Sequence, residues 1–462
     1  MNPASAPAAP RWRRWLTPVL VALLVAAAQL WLVGAAGTDI PAYDQWDVEG
    51  GRLYPHWRDG TLTAGSLLEA HNEHRIVWTH LLNLALFAAN GDRWDPLVQQ
   101  AAGALLHGAV AGLLVGLLGT VPGLRGWFPW AVGLAMVPLA AWHNALWGFQ
   151  SQVYLVLLFA LPALYWLTQE RRWPAWIAGW IAATAAMLAM GAGLLIAPAW
   201  LAWCGWRGLE RRWHLGRVGG GLALLLVAWW LYVPVSAHAE LRAGSPPAFL
   251  TALGRLAGWP HVGQPLAAIV MVLPMLLVIQ GRLAGWRRAV AGEDFLLAVG
   301  CWVLLLAGGL AWSRGGGAEF RAGVPSRYVD LVILLPVVNL ACLRLLLDSV
   351  RARRRLSLTL AGCWLGFLLV GWLGISAEAW RRVVVPLARE REVPAQLMRE
   401  FRRGADADVY AGQARLLVPH PDLAAVRRVL DDPRMQGALP PSLQPEAQRG
   451  PLTRAVRRLL LR

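Results

Sequence analysis

The sequence predicts an all-α fold, a polytopic bundle of about 11 membrane-spanning helices with a large first outer loop and a helical C-terminal tail. Three observations predict it. The 462 residues are 57% hydrophobic and only 15% charged, with a mean hydropathy of +0.45, too apolar for a globular domain in water. Apolar runs such as 16–36 and 97–119 reach the roughly 20 residues that cross about 30 Å of hydrocarbon. The polar residues, finally, collect in the gaps between such runs.

Taken in order, the expected spans are 16–36, 97–119, 127–143, 149–168, 173–189, 191–206, 218–235, 265–282, 294–312, 328–347 and 357–376. They make 1–376 the membrane domain and 377–462 an extramembrane tail. Arg11, Arg13 and Arg14 precede the first run as in a signal peptide, but without a convincing cleavage site the run is expected to stay as the first helix. The apolar run 76–90 is 15 residues long, closer to an interfacial or re-entrant segment than to a span.

All of the 43 basic residues are arginine, and the net charge is +16. The arginines lie in short gaps between apolar runs, so the charge points to membrane orientation and not to a nucleic-acid partner. With the N-terminus cytoplasmic, the Arg-rich gaps near 125, 171–172, 207–217, 282–288 and 351–355 all fall inside. Counting 76–90 as a span inverts every one of them. The outer side then holds loops 37–96, 236–264 and 313–327 and also the tail, where Arg381 and Arg382 run against the charge bias. The expected location is the bacterial cytoplasmic (inner) membrane. Cys204, Cys301, Cys342 and Cys363 lie in or beside apolar stretches without disulfide or zinc spacing.

Loop 37–96 carries nine of the 27 acidic residues. Within Tyr43-Asp44-Gln45-Trp46-Asp47-Val48-Glu49, a short helix over 45–58 would put Asp44 and Asp47 on one face, able to activate a hydroxyl or bind a cation; Asp44 could equally cap that helix. Glu49 is a further candidate substrate contact. Next comes His71-Asn72-Glu73-His74-Arg75, whose His71, Glu73, His74 and Arg75 would bind substrate or anchor the loop; the spacing matches no strong zinc pattern, which leaves a divalent metal open but not required. The outer turn 142–152 offers His143, Asn144, Gln150 and Gln152 among tryptophans, a set suited to stacking and hydrogen-bonding a sugar, though tryptophan also marks membrane interfaces. Arg314, Arg321 and Arg327 surround a glycine run, and their guanidinium forks suit a phosphate or anionic lipid headgroups.

Through about residue 376 the chain resembles the GT-C superfamily of membrane glycosyltransferases, which take a sugar from a polyprenyl-phosphate carrier at the outer face. Asp44, just after the first helix, matches the superfamily's acidic catalytic position, with Asp47 second. It also looks like a group of bacterial membrane proteins with an acidic-aromatic Asp44-Gln45-Trp46-Asp47 stretch, a 71–75 cluster, a Phe149-Gln150-Ser151-Gln152 segment and a Ser326-Arg327-Tyr328 triplet. The resemblance implies a lipid-linked sugar donor, a glycan, lipid or protein acceptor, and membrane lipids as surroundings. His143 and Asn144 stand where many members present another carboxylate, which puts metal dependence in doubt. The rivals are a transporter or flippase of lipid-linked sugar, which needs polar residues deep within spans, and a non-catalytic partner in envelope glycan assembly. In the arginine-rich tail, 423–430 reads as a surface helix packing one face.

Overall fold

The computed structural model describes residues 13–137, 139–169, 173–210, 215–349, 354–414 and 417–460. Arg11 and the basic gaps at 171–172 and 351–353 lie outside them. The fold is all-helical; among the described residues the only strands are Ala70–His71 and His74–Arg75, an antiparallel pair with Ala70 opposite Arg75 and His71 opposite His74.

Among the described residues, six helical segments are long and apolar enough to cross a membrane: Arg14–Ala36, Pro96–Leu118, Gly148–Leu167, Glu293–Arg314, Ser326–Asp348 and Arg355–Arg389. Val77–Ala89, Leu215–Leu231 and Ala267–Leu283 are apolar but shorter. The expected eleven spans are therefore not all single long helices. The run 127–143 divides into Phe128–Ala135, a 3-10 turn at Leu139–Ala141 and the short helix Trp142–Leu146. Val77–Ala89, at about 20 Å by the helical rise, is too short to span the hydrocarbon. Arg355–Arg389 passes straight through 376, so the helical rod runs past the boundary expected from composition. Its outer rows, including Leu358, Leu360, Val370 and Leu373, are exposed, an apolar surface that water would penalise and lipid would not.

The described parts of two connectors expected on the inner side, 207–210 and 282–288, meet at one end of the bundle. Arg282 binds Glu210 and Asp294 at 2.7 Å and Glu293 at 3.2 Å, and Arg287 binds Glu293 at 2.6 Å. Arg207 joins through Asp294 at 3.5 Å. These buried charges tie Ile196–Leu209, Ala267–Leu283 and Glu293–Arg314 together, and each is tolerable there only because it is paired.

At the opposite end, loop 37–96 folds with the tail into a second core. Trp46, Leu53, Tyr54, Phe87 and Trp94 of the loop pack with Met398, Phe401, Val426, Val429, Leu430, Met435 and Leu439 of the tail. Leu423–Asp431 buries Ala425, Val426, Val429 and Leu430 on one face, as its alternation predicts. Beneath this core lies Glu49, fully buried and outside the main cavity. It accepts from Asn83 Nδ2 and Gln99 Nε2 at 2.8 Å, Trp94 Nε1 at 2.9 Å, and Gln45 Nε2 and Tyr54 Oη at 3.3 Å. It thus joins residues 45–54 to Val77–Ala89 and Pro96–Leu118. Asp95 starts the latter helix by accepting from the Leu97 amide, with Pro96 at its first position.

Burial pushes the Glu49 carboxyl up to about 7 against the four side-chain hydrogen bonds that lower it. Because the folded pKa exceeds the unfolded one, the folded state holds the extra proton, and the stability this contributes is lost as pH rises from about 4.5 through about 7. Glu49 should therefore contribute a stability decline on the order of 1–3 kcal/mol across that window, so that thermal melting of Glu49→Gln shows a correspondingly smaller decline than the wild type. Glu49→Leu, which strands five donors, should cost about 3 kcal/mol or more.

Candidate functional site

Residues 45–53 form a π-helix rather than the α-helix expected over 45–58. Its wider turn separates positions three apart, so Asp44 and Asp47 do not share a face. Asp44 lines a cavity of about 520 Å³ at the loop end of the bundle, while Asp47 turns to the tail and meets His420 Nε2 at 3.0 Å. Asp44 makes no capping hydrogen bond; its carboxylate lies 3.1 Å from His71 Nε2, and the His71 ring sits edge-on to Phe149.

Asp44 is aimed by its neighbour. Tyr43 has φ +49°, an unusual left-handed conformation for a bulky residue, and its amide donates to the Pro419 carbonyl at 2.6 Å. The tail segment 419–420 therefore grips 43–47 at both ends. Tyr43 also packs edge-on to Trp147 and His143, and His143 stacks between Trp142 and Trp147 with ring centroids 4.9 and 5.0 Å away. These rings form one wall of the cavity.

Opposite them, Glu73 accepts from Arg314 Nη2 through both oxygens at 2.8 and 2.9 Å and from His238 Nδ1 at 2.5 Å. Burial works to raise the Glu73 carboxyl, but the His238 hydrogen bond and the Arg314 charge outweigh it and hold it below the usual carboxylate range. His74, hydrogen-bonded by Gln152, is pushed down to about 4, chiefly by burial and then by His71, so it is neutral near pH 7. Arg327 pairs with Glu319 at 2.7 Å and lies over the Tyr328 ring. Arg314 Nη1 and Gln152 Oε1 are buried without hydrogen-bond partners, polar capacity that a ligand or water would satisfy.

Of the residues picked from sequence, Asp44, His71, Glu73, His74, His143, Gln150, Gln152, Arg314 and Arg327 converge on this cavity. Asp47, Glu49, Arg75, Asn144 and Arg321 do not line it. Arg75 donates to the Leu68 carbonyl and Arg321 to that of Gly316. Asn144 turns inward to Asp330 and the Arg327 carbonyl. His71, Glu73 and His74 each face different partners instead of one point, and among the described residues no three His, Cys, Asp or Glu side chains form a metal-ligating group. Tyr43, His238 and Glu319 line the cavity without having been singled out. Their one sequence signal is position in the loops that the topology put on the same side.

A second cavity of about 440 Å³ adjoins the first and shares Glu73, His74, Met190, His238, Arg314 and Tyr328 with it. Its remaining lining is largely apolar, including Leu194, Leu195, Leu225, Trp229, Leu306, Leu310 and Leu331. A polar chamber thus adjoins an apolar groove, with Arg314 in the wall of both. Comparison of the chain with family models, curated proteins and solved structures found no match.

His420→Ala should release Asp47 and loosen 43–47; the Asp47 carboxylate is half exposed, so the effect is at most about 1 kcal/mol. Hydrogen exchange at the Tyr43 amide should accelerate by up to about fivefold, while exchange in Pro96–Leu118 stays unchanged.

Proposed function

We propose that the chain is a membrane glycosyltransferase that moves a sugar from a polyprenyl-phosphate carrier to an envelope glycan, lipid or protein acceptor on the outer face. The supporting observation is the adjacency of the two cavities: a polar, aromatic-walled chamber beside an apolar groove, with the Arg314 guanidinium lining both. That arrangement matches a ligand with a sugar at one end, a phosphate in the middle and a hydrocarbon tail at the other. The tryptophan and histidine faces suit a sugar ring, and the groove suits an isoprenoid chain.

In this reading Asp44 takes the proton from the acceptor hydroxyl while the acceptor oxygen bonds to the anomeric carbon. The bond from that carbon to the phosphate oxygen breaks, and the electron pair leaves with the lipid phosphate. Arg314, at the junction, and Arg327 stabilise the charge that develops there. His71, 3.1 Å from Asp44, orients the carboxylate. Arg321, off the cavity, is left without a part in this step. A divalent metal is not required by the step as written.

One observation favours the transporter reading instead: His107 and Asp330 are ionisable groups buried within helices long enough to cross a membrane. Mass spectrometry of envelope glycans in a deletion strain separates the two. Complementation with Asp44→Asn, expressed at the normal level, should leave one sugar depleted about 100-fold or more, the scale of a lost general base. Asp47→Asn, whose side chain lies off the cavity, should restore it. A wild-type profile from Asp44→Asn sinks the transferase reading.

A further inference from the structure

Deeper in the bundle, away from both large cavities, four of the six long apolar helices each send one polar side chain to a common point. These are Gln29, His107, Tyr154 and Asp330, all 6% exposed or less. Gln29 Oε1 lies 2.6 Å from His107 Nδ1 and 3.3 Å from the Tyr154 hydroxyl. An amide oxygen only accepts, so Nδ1 of His107 carries a proton and the ring's other nitrogen, Nε2, is the one left to titrate. The ring is held flat against Tyr154, centroids 4.8 Å apart.

His107 Nε2 faces Asp330 Oδ1 at 3.8 Å, too far for a direct hydrogen bond and the right span for a bridging water. Neither atom has another partner, and Gln29 Nε2 beside them is also unpartnered. The three residues are among those lining a small cavity of about 30 Å³, room for one water, which needs at least about 10–15 Å³ and two to four polar partners. The hydrogen-bonding sense also fits: Gln29 Nε2 can only donate, while a neutral His107 Nε2 and an ionised Asp330 Oδ1 can only accept. A single water accepts from the first and donates to the other two.

We propose that this cavity is a proton-binding site in which His107 and Asp330 share one labile proton through a bound water. With that proton present the pair is neutral as a whole, either as imidazolium with carboxylate or as imidazole with carboxylic acid. Transfer between the two moves the proton from Nε2 to the water while the water gives one of its own to Oδ1, and no other reagent is needed. Losing the proton leaves Asp330 a carboxylate without a counter-charge, hydrogen-bonded by Asn144 and Tyr154 but set among apolar helices, a costly state that the surroundings must answer. Tyr154 is the one further titratable group facing the pair among the described residues; Gln29 and Asn144, the other side chains on it, do not titrate.

The site is wired to the outer cavity. Asp330 Oδ2 accepts from Asn144 Nδ2 at 2.9 Å, and the same nitrogen donates to the Arg327 carbonyl at 3.1 Å. Asn144 belongs to the short helix Trp142–Leu146, which carries His143 and Trp142 of the cavity wall, and the His143 amide donates to Ser326 Oγ at 3.1 Å. A change of charge on Asp330 therefore acts first on the segment bearing the aromatic wall and Arg327. The inference rests on this geometry and does not require the transferase reading.

Infrared difference spectroscopy of the full-length protein in lipid nanodiscs tests it, with acidification from about pH 8 to about pH 5, the range over which histidine ordinarily changes charge. The wild type should show a protonated-carboxyl stretch that shifts in heavy water. Asp330→Asn should lose that band, and His107→Gln, which keeps a polar side chain of similar reach, should move its midpoint. Hydrogen exchange over 142–147, corrected for the intrinsic pH effect, should follow the same midpoint in the wild type and lose it in Asp330→Asn. Should Asp330→Asn fail to fold, His107→Gln and Gln29→Leu give the same reading through a displaced midpoint. Spectra and exchange profiles superimposable on wild type in His107→Gln and Asp330→Asn, or in His107→Gln and Gln29→Leu if Asp330→Asn does not fold, overturn the proposal.

Discussion

The arrangement at the loop end of the bundle depends on the carboxylate of Glu49. Five side chains from three separate stretches of the chain donate to it inside a closed layer. A buried acid with so many donors is costly to disturb, because each donor left behind is itself a buried unsatisfied group. By fixing residues 45–54 against the helices that follow, Glu49 sets the position of residues 43 and 44 immediately before them. The tail completes the arrangement from above, holding Tyr43 in its strained conformation through the Pro419 carbonyl. Asp44 is thus positioned by a buried network below and a strap above, both contributed by residues that do not line the cavity.

Much of this was legible in the sequence because bilayer-scale apolarity leaves few alternatives: backbone groups in hydrocarbon must be satisfied within a helix. Asp44, residues 71–74, Gln150 and Arg327 come together at one cavity because polar residues crowding between long apolar runs must gather at an end of the bundle. Asp47 and Glu49 were misjudged for a related reason. Alternation along a loop says which residues are polar but not which way a π-helix turns them, and Glu49 reads like an exposed acid until its five donors are seen. Arg75 and Arg321 satisfy nearby backbone carbonyls, a local use of guanidinium that spacing does not distinguish from ligand binding. The break in 127–143 was likewise hidden, since composition alone treats a kinked apolar run and a straight one alike.

The two ends of the molecule use charge differently. At the end holding the connectors, Arg207, Arg282 and Arg287 are locked into buried pairs with Glu210, Glu293 and Asp294, and the cluster joins helices. At the other, Glu73 with Arg314 and Glu319 with Arg327 are paired at a cavity wall, where a bound anion could compete for the guanidinium groups. Between the ends, the Gln29, His107, Tyr154 and Asp330 cluster was hidden, because each lies in a different expected span and a pattern along one helix does not say which polar residues of separate helices meet.

The junction of polar chamber and apolar groove is best tested by native mass spectrometry of the purified protein with added polyprenyl phosphate. The wild type should retain the lipid, and Gly309→Trp, which places a large ring in the groove where only Leu195 now approaches, should lose it while melting as the wild type does. Equal retention by both proteins, or none by the wild type, would contradict the account.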